Sequence, residues 1–428
     1  MTVNNNTRRD FLKTATALTA VGVASPMLIP RSALAQGKTV GANDRIIVGC
    51  VSAGGRSRML MEQLPEDAQL VALADANMPQ ALQYKKLREA NWDIYGTHWP
   101  ILDRKDIDAV IIGGQEYQRV YPCIHACEAG KDVYAEKPLT LYIQEGRTLV
   151  NCVRKHKTVF QVGTQQRSME MNRVACEFVR NGGLGKLRYV SAVNYTGAGP
   201  TNTNIGDDEP PMPPGFNWDL HLNQGAWHTY HPAWINGRNF GGGEMTNWGA
   251  HGVDQIQWAL GKDDTLPVEF EPITEGPNGK VNVRYADGSE IRFEIDGGPV
   301  GGAIFIGEKG KLEINRNKFM SNPVGIRDEL IKKVDEAEEE VKWSDQTALW
   351  QARWHLQNWL DCIKTREKPR SDVEIGHRSI AFCHLVNITR WMGRKLKFDP
   401  VKERFIGDDE ANKWNDRERR KGYELPAY

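Results

Sequence analysis

What most constrains this chain is a rhythm that begins at Asp44, where short apolar runs start to alternate with segments of helical spacing. "RIIVGCVS" (45–52) enters a glycine-rich turn, "SRMLMEQL" has helical periodicity, and "QLVALAD" (69–75) is a second apolar run ending on an acid. "DAVIIGG" (108–114), "KDVYAE" (131–136) and "TVFQVGTQ" (158–165) repeat the strand pattern, with helical spacing in "VYPCIHACEAG" and "EGRTLVNCVRKH" between them. Continuous apolar strands separated by helices and short turns dictate a parallel sheet covered on both faces. The expected fold class is therefore α/β, with a doubly wound Rossmann sheet over 44–165.

The turn after the first run, "SAGGRS", is where a dinucleotide would be held. Such a turn must bend tightly, let a pyrophosphate approach bare backbone, and bring a helix close to its strand. Gly54 and Gly55 meet the second demand and Arg56 adds a cation, but Ser52 and Ser57 stand where GxGxxG has its first and third glycines. Asp75, about twenty residues on, suits a ribose 2'-hydroxyl and repels a 2'-phosphate, so NAD is favoured over NADP. Glu136 and Lys137 follow another strand directly and precede Pro138. Ligands bind beyond the carboxyl ends of parallel strands, and a desolvated lysine there can hold or pass on a hydroxyl proton.

After about residue 187 the pattern changes. "LRYVSAVNYTG", "VEFEPI", "KVNVRYADGSEIRFEID" and "GGAIFIGEKGKLEINRN" read as strands of a largely antiparallel sheet, with "ADGS" (286–289) as a hairpin turn. Residues 197–245 are irregular yet rich in rings, and aromatic faces flanked by polar groups suit sugars. Trp218, His228 and His231, with Arg167, are the substrate-binding candidates. "TNWGAHGVDQIQWALG" (246–261) places Asn247 and His251 one helical turn apart on one face. The C-terminal stretch reads as two amphipathic helices around "KPRSD", its tryptophans serving the core.

The 428 residues carry 55 basic and 55 acidic side chains, which excludes a nucleic-acid binder's charge footprint and favours a small neutral or weakly charged ligand. "TRRDFLK", a weak apolar run and "ALA" (33–35) have the order of a twin-arginine export signal over 1–35, too short and polar for a stable membrane span. Export to the periplasm through the Tat machinery is thus expected. Seven cysteines without a CxxC pair read as buried thiols, no metal site is expected, and one disulfide after export stays open.

"DAVIIGG", "CEAGKDVYAEKPL", "VGTQQRS", "WDLHL", "GGGEMTNWGAHGVDQIQWALG" and "DVEIGHRSI" occur in an order that resembles the Gfo/Idh/MocA family of glucose-fructose oxidoreductase and inositol dehydrogenase, over about 44–425. The resemblance implies an N-terminal Rossmann domain (44–165) and a C-terminal α+β domain (166–428) with a large, open, mostly antiparallel sheet. It also implies NAD(P)-linked sugar or polyol oxidation and association into a homo-oligomer. It makes Lys137 the lysine beside nicotinamide and substrate, and His251 the acid or base. Where the family often has Asp, this chain has Asn247, which leaves a less basic His251; Arg119 replaces a frequent histidine. Three activities remain open on these residues: NAD-dependent oxidation of a sugar, glycoside or polyol; a redox-neutral glycosidase or lyase that retains NAD; and a nucleotide- or sugar-binding protein without turnover.

Overall fold

The structure, a computed structural model, describes residues 45–199, 210–231, 237–334 and 352–428; the expected export signal and parts of the ring-rich 197–245 stretch lie outside the described residues. The first sheet is built from β1 (Ile46–Val51), β2 (Ala68–Ala74), β3 (Asp93–Tyr95), β4 (Ala109–Ile112), β5 (Asp132–Ala135) and β6 (Phe160–Val162). All pairings are parallel and the order is β3-β2-β1-β4-β5-β6, with the reversal of direction between β1 and β4. Helices α1 (Gly55–Glu62), α2 (Met78–Leu87), α3 (Val120–Glu128) and α4 (Ile143–His156) make the crossovers. The β4 and β5 side chains are buried throughout, as a sheet covered on both faces requires. The short β3 and α2 escape the sequence pattern because three residues and a weakly amphipathic, lysine-rich helix give little periodicity.

Beyond α5 (Glu170–Arg180), β7 (Leu187–Val193) starts a nine-stranded sheet ordered β13-β12-β11-β7-β10-β9-β8-β14-β15. Its strands are β8 (Glu269–Pro272), β9 (Val281–Arg284), β10 (Glu290–Ile295), β11 (Ala303–Gly307), β12 (Gly310–Asn315), β13 (Lys318–Asn322), β14 (Leu396–Asp399) and β15 (Arg404–Phe405). Only β7 and β10 pair in parallel; the other pairs are antiparallel. The 286–289 turn joins β9 to β10 with Gly288 at φ +87°. One face of this sheet is covered by α6 (Glu244–Leu260), while α7 (Val324–Ile331) follows β13.

The chain does not keep to the linear boundary at 165/166. Helix α8 (Arg353–Thr365) returns to the Rossmann sheet, where Leu356, Trp359 and Leu360 share a core with Val48, Leu73, Ile111 and Tyr134. Helix α9 (Val373–Met392), buried almost throughout, packs on both α4 and α6. The two halves are thus welded along α8 and α9, which fixes where α6 stands relative to the ends of β4 and β5. All seven cysteines are buried free thiols. Among the described residues no helix is long and apolar enough to cross a membrane.

Candidate active site

The glycine-rich turn works in spite of its serines. Ser52 takes the left-handed conformation, φ +90°, that the first glycine of the motif would supply, and its Oγ accepts the Gly54 N–H at 3.2 Å. Ser57, in the first turn of α1, is nearly fully buried against Gly113 at the end of β4. A Cβ on Gly113 would clash with Ser57 Oγ and lie 3.3 Å from Ser57 Cβ and 3.4 Å from Ser52 Cβ. The glycine lost from the helix has, in effect, moved to the neighbouring strand.

Asp75 directly follows β2, with one carboxylate oxygen 2.6 Å from Ala53 N and the other 2.7 Å from Asn77 N. Burial raises its pKa, against those two N–H groups and Arg58. With it, Ser52, Gly54, Gly114, His98 and Trp99 line a cleft of about 550 Å3 over the carboxyl ends of β1, β2 and β4, at the point where strand order reverses. This cleft fits an NAD molecule. Gly54 and Gly55 leave the N-terminus of α1 bare, no atom stands within 4 Å of a Cβ on Gly55, and each Asp75 oxygen keeps a lone pair for a ribose hydroxyl.

The aromatic segment lies over this same cleft. Phe216, Leu220 and His221 line it, Asn217 N donates to Ala76 O at 2.9 Å, and Tyr117 Oη donates to His221 O at 2.9 Å. Trp218 is buried beneath, its Nε1 on His228 O at 2.8 Å and its ring against Phe216, His221, His228 and Tyr230. His228 is half-buried, with Nδ1 2.8 Å from Thr229 O and its ring edge-on to Phe240; His231 is half-buried at the end of this described segment. The structure therefore joins Trp218 and His228 to the cover of the nucleotide cleft, packed against one another. Arg167 has a different place again. Its buried guanidinium holds both oxygens of Asp254 (2.9 and 3.0 Å) and both of Asp263, and Ser379 Oγ on α9 adds 2.8 Å to Asp254. Asp254, the third polar residue on the α6 face, is thereby committed to that ion cluster.

Lys137, Asn247 and His251 do come together. Past β5, Glu136 is buried and ties Arg56 Nε (3.0 Å) to the Lys137 N–H (3.1 Å). Lys137 Nζ reaches α6, donating to Asn247 Oδ1 at 2.7 Å and Asn247 O at 3.3 Å. Asn247 Nδ2 turns to the exposed carboxylate of Glu244 at 3.2 and 3.3 Å, so Asn247 orients Lys137 while His251 takes no bond from it. One turn on, His251 is buried with Nδ1 unpartnered. Gly301, at φ +66°, lets the start of β11 approach, since a Cβ there would sit 3.1 Å from His251 Cβ and 2.6 Å from Gln166 Oε1.

Loss of solvent dominates the electrostatics. Burial, with Arg316, Arg56 and Arg119 nearby and Glu136 opposing, lowers Lys137 to about 8. Burial followed by Lys137, Arg316 and Arg56 holds His251 well below the usual imidazole range, so its ring is neutral. Two residues that pattern alone did not single out belong here. Glu116, in "GQEYQR", is buried with Oε1 on Gly242 N and Thr246 Oγ1 and Oε2 unpartnered; burial lifts it to about 7. Arg316 is buried at the β12–β13 turn, its guanidinium 5.5 Å over the Trp248 ring. Arg119 is buried too, donating to the Gly113, Gly114 and Leu139 carbonyls.

Residues 45–164 match the oxidoreductase family's NAD-binding Rossmann fold, and residues 195–425 its C-terminal alpha/beta domain. The chain belongs to the Gfo/Idh/MocA oxidoreductase family. Among Gfo/Idh/MocA relatives, a 2,7-anhydro-N-acetylneuraminate hydratase of Mediterraneibacter gnavus is 27% identical over 195 residues, 45% of this chain and 46% of that protein. The rhizopine catabolism protein MocA of Rhizobium meliloti is 22% identical over 52% of this chain and 59% of its own length. This chain thus spans about half the length of these curated relatives. The fold is shared with the WlbA dehydrogenase of Bordetella pertussis, solved with NADH and UDP-GlcNAcA (TM-score 0.61, 17% identity, 83% of this chain and 99% of that one). It is shared as well with the aldose-aldose oxidoreductase of Caulobacter crescentus (TM-score 0.57, 16% identity, 83% and 100%). The first domain of this Gfo/Idh/MocA protein is accordingly an NAD-binding Rossmann domain.

Proposed function

We propose that the protein oxidises a hydroxyl of a sugar, glycoside or polyol with NAD as hydride acceptor. The observation that carries this is the meeting of Lys137, from the end of β5, with the α6 face that holds Asn247 and His251. NAD bound in the cleft supplies the hydride acceptor, while the protein's own groups manage the hydroxyl proton. Lys137 has three N–H donors; two point at Asn247, and the third is left for the substrate oxygen. With a pKa near 8 it is mostly cationic at neutral pH, and it polarises that oxygen. His251, neutral and with a buried, unpartnered ring nitrogen, takes the hydroxyl proton. Asp75 favours NAD over NADP by repelling a 2'-phosphate.

A specific observation also favours the redox-neutral alternative, in which NAD stays bound and takes back its hydride. The cleft is covered by Phe216 to Asn223 and by Gly422 and Tyr423, and the cover is pinned by the Arg420–Asp219 ion pair and the Asn217–Ala76 bond. The export expected from the 1–35 signal would place the protein where no NAD pool recycles the cofactor, which would favour the same alternative. A binding protein without turnover drew its support from Ser52 and Ser57, and the local geometry accommodates both. The test is to denature purified protein, assay the supernatant for nucleotide, and incubate the native protein with a glycoside panel. Accumulating NADH establishes the dehydrogenase, and sugar release over retained NAD establishes the redox-neutral enzyme. Neither nucleotide nor any uptake of added NAD refutes both.

A further inference from the structure

Asn247 stands between two charges of opposite sign. Its Oδ1 accepts from Lys137 Nζ at 2.7 Å, and its Nδ2 donates to the two oxygens of Glu244 at 3.3 and 3.2 Å. An ammonium can only donate and a carboxylate can only accept, so the flanking groups leave the amide a single orientation. The result is one hydrogen-bonded chain, Lys137 to Asn247 to Glu244, running from the end of β5 along the first turn of α6 to an exposed carboxylate. In such a chain each bond polarises the next. Hydroxyl oxidation as derived above uses the first two members and gives Glu244 no task.

The start of α6 is built to hold this geometry. Gly243 takes φ +74°, and a Cβ there would lie 2.7 Å from both Gly197 C and Ala198 N, so the helix begins hard against that backbone. Met245 N donates to Thr196 O at 2.8 Å. Gly242 is held on both sides, its N–H by Glu116 Oε1 and its carbonyl by Asn387 Nδ2 at 2.8 Å. Residues 242–245 are thus fixed to three other parts of the fold, and Glu244 and Asn247, three apart on the helix, meet on one face. A carboxylate in the first helical turn also suits the helix dipole, but that role does not call for an amide that already holds the lysine.

Around Lys137 stand Glu136 beside it, Arg56 from α1, Arg119 and Glu116 from the segment after β4, Arg316 from the β12–β13 turn and His251 from α6. The arginines and loss of solvent press the ammonium to release its proton, and Glu136 opposes them. We infer that Glu244 is a positioning residue for Lys137: through the Asn247 amide its carboxylate keeps the lysine a cation aimed at the substrate oxygen. The inference rests on the oxidoreductase reading above for the task of Lys137. No proton passes along the chain; the amide transmits orientation and polarisation.

The test is the titration of the Lys137 side chain in the NAD-loaded protein without substrate, followed by NMR with lysine carbon-13 labelled at Cε, Lys137→Arg identifying the signal. Glu244→Gln keeps an acceptor for Asn247 Nδ2 and loses the charge, and its Lys137 midpoint is expected about half a pH unit or more below wild type. Glu244→Ala also frees the amide to turn, and its midpoint should fall at least as far. With the chain cut by Asn247→Leu, or by Asn247→Ala, the Glu244→Gln effect should shrink to less than about half. Unchanged NAD affinity in each variant is the control for folding.

An unmoved or raised midpoint in Glu244→Gln overturns the inference, and if stability drops at the same time the acid serves the helix dipole alone. A fall that keeps more than about half its size with the chain cut also overturns it, because the carboxylate would then act through space and not through the amide. The titration needs no substrate and so stands apart from the glycoside panel. A midpoint shifted as expected with no turnover of any sugar removes the oxidoreductase reading and leaves the chain standing, whereas turnover with an unmoved midpoint removes this inference alone.

Discussion

Gly113→Ala is the substitution whose cost the structure specifies most closely. The new methyl would clash with Ser57 Oγ, with Ser57 Cβ at 3.3 Å and Ser52 Cβ at 3.4 Å behind it. Rotating the Ser57 hydroxyl relieves the first clash only, and the residue is buried in the first turn of α1 with little room to turn. Part of the strain must therefore move α1 off β4, at about 1–3 kcal/mol for overpacking. That movement carries the bare N-terminus of α1 away from where the pyrophosphate binds. Ser57→Gly removes the obstacle, at about 1 kcal/mol or less of helix propensity. The double variant should then regain most of what Gly113→Ala loses, a coupling on the order of 1–3 kcal/mol. Chemical denaturation of wild type, both single variants and the double variant measures the cycle, and NAD titration of the same four proteins follows the turn. Additive losses, or a Gly113→Ala protein with unchanged stability and NAD affinity, would refute the view that glycine and serine have exchanged places between β4 and α1.

Four further expectations concern charge. Lys137 titrates near 8 in the folded chain, so if it must be protonated to hold the substrate oxygen, kcat/KM should fall about tenfold per pH unit above about 8. Lys137→Met should abolish turnover yet raise Tm at pH 7, because below about pH 8 the native chain carries this cation buried at a full desolvation cost that fades only as pH rises from about 8 to 10.5; an unchanged or lower Tm contradicts this. Glu116 has its folded pKa raised from 4.5 to about 7, so its contribution is full below pH 4.5 and is lost as pH climbs to about 7. Glu116→Gln should then be relatively more stable at pH 8 than at pH 5, and thermal melts at both values show whether the gap opens in that direction. Arg167→Met strands Asp254 without its partner and should cost about 3–5 kcal/mol, partly recovered by adding Asp254→Asn. If substrate KM shifts while stability does not, Arg167 contacts substrate after all.

Strand-helix alternation from Ile46 to Val162 was legible without a structure because parallel strands are buried on both faces and must be apolar end to end. The chemistry of Asp75 and Lys137 could be read because both follow such strands directly, and strand ends are where that architecture exposes side chains. His251 and Asn247 could be paired because helical period is local. Sequence also recorded the serines of the turn, but whether they are tolerated depends on Gly113, 56 residues from Ser57, and only packing brings the two together.

The tertiary structure decided what the long-range partners do. Arg167, Asp254 and Asp263 are a substrate-like set by composition, yet they neutralise one another in a buried cluster because α6 and its following turn bring both carboxylates to one guanidinium. Trp218 and His228 have the residue types of a sugar site, but the fold of their segment aims it at the nucleotide cleft, where ring packing uses them up. Arg316 and Glu116 carried no local signal, since a charged residue in a turn is ordinarily solvated; only burial against Trp248 or under Gly242 makes either consequential. Periodicity is set by neighbours a few residues apart and so is written in sequence. Solvation and charge pairing are set by whatever the folded chain brings near, and those the sequence by itself left undetermined.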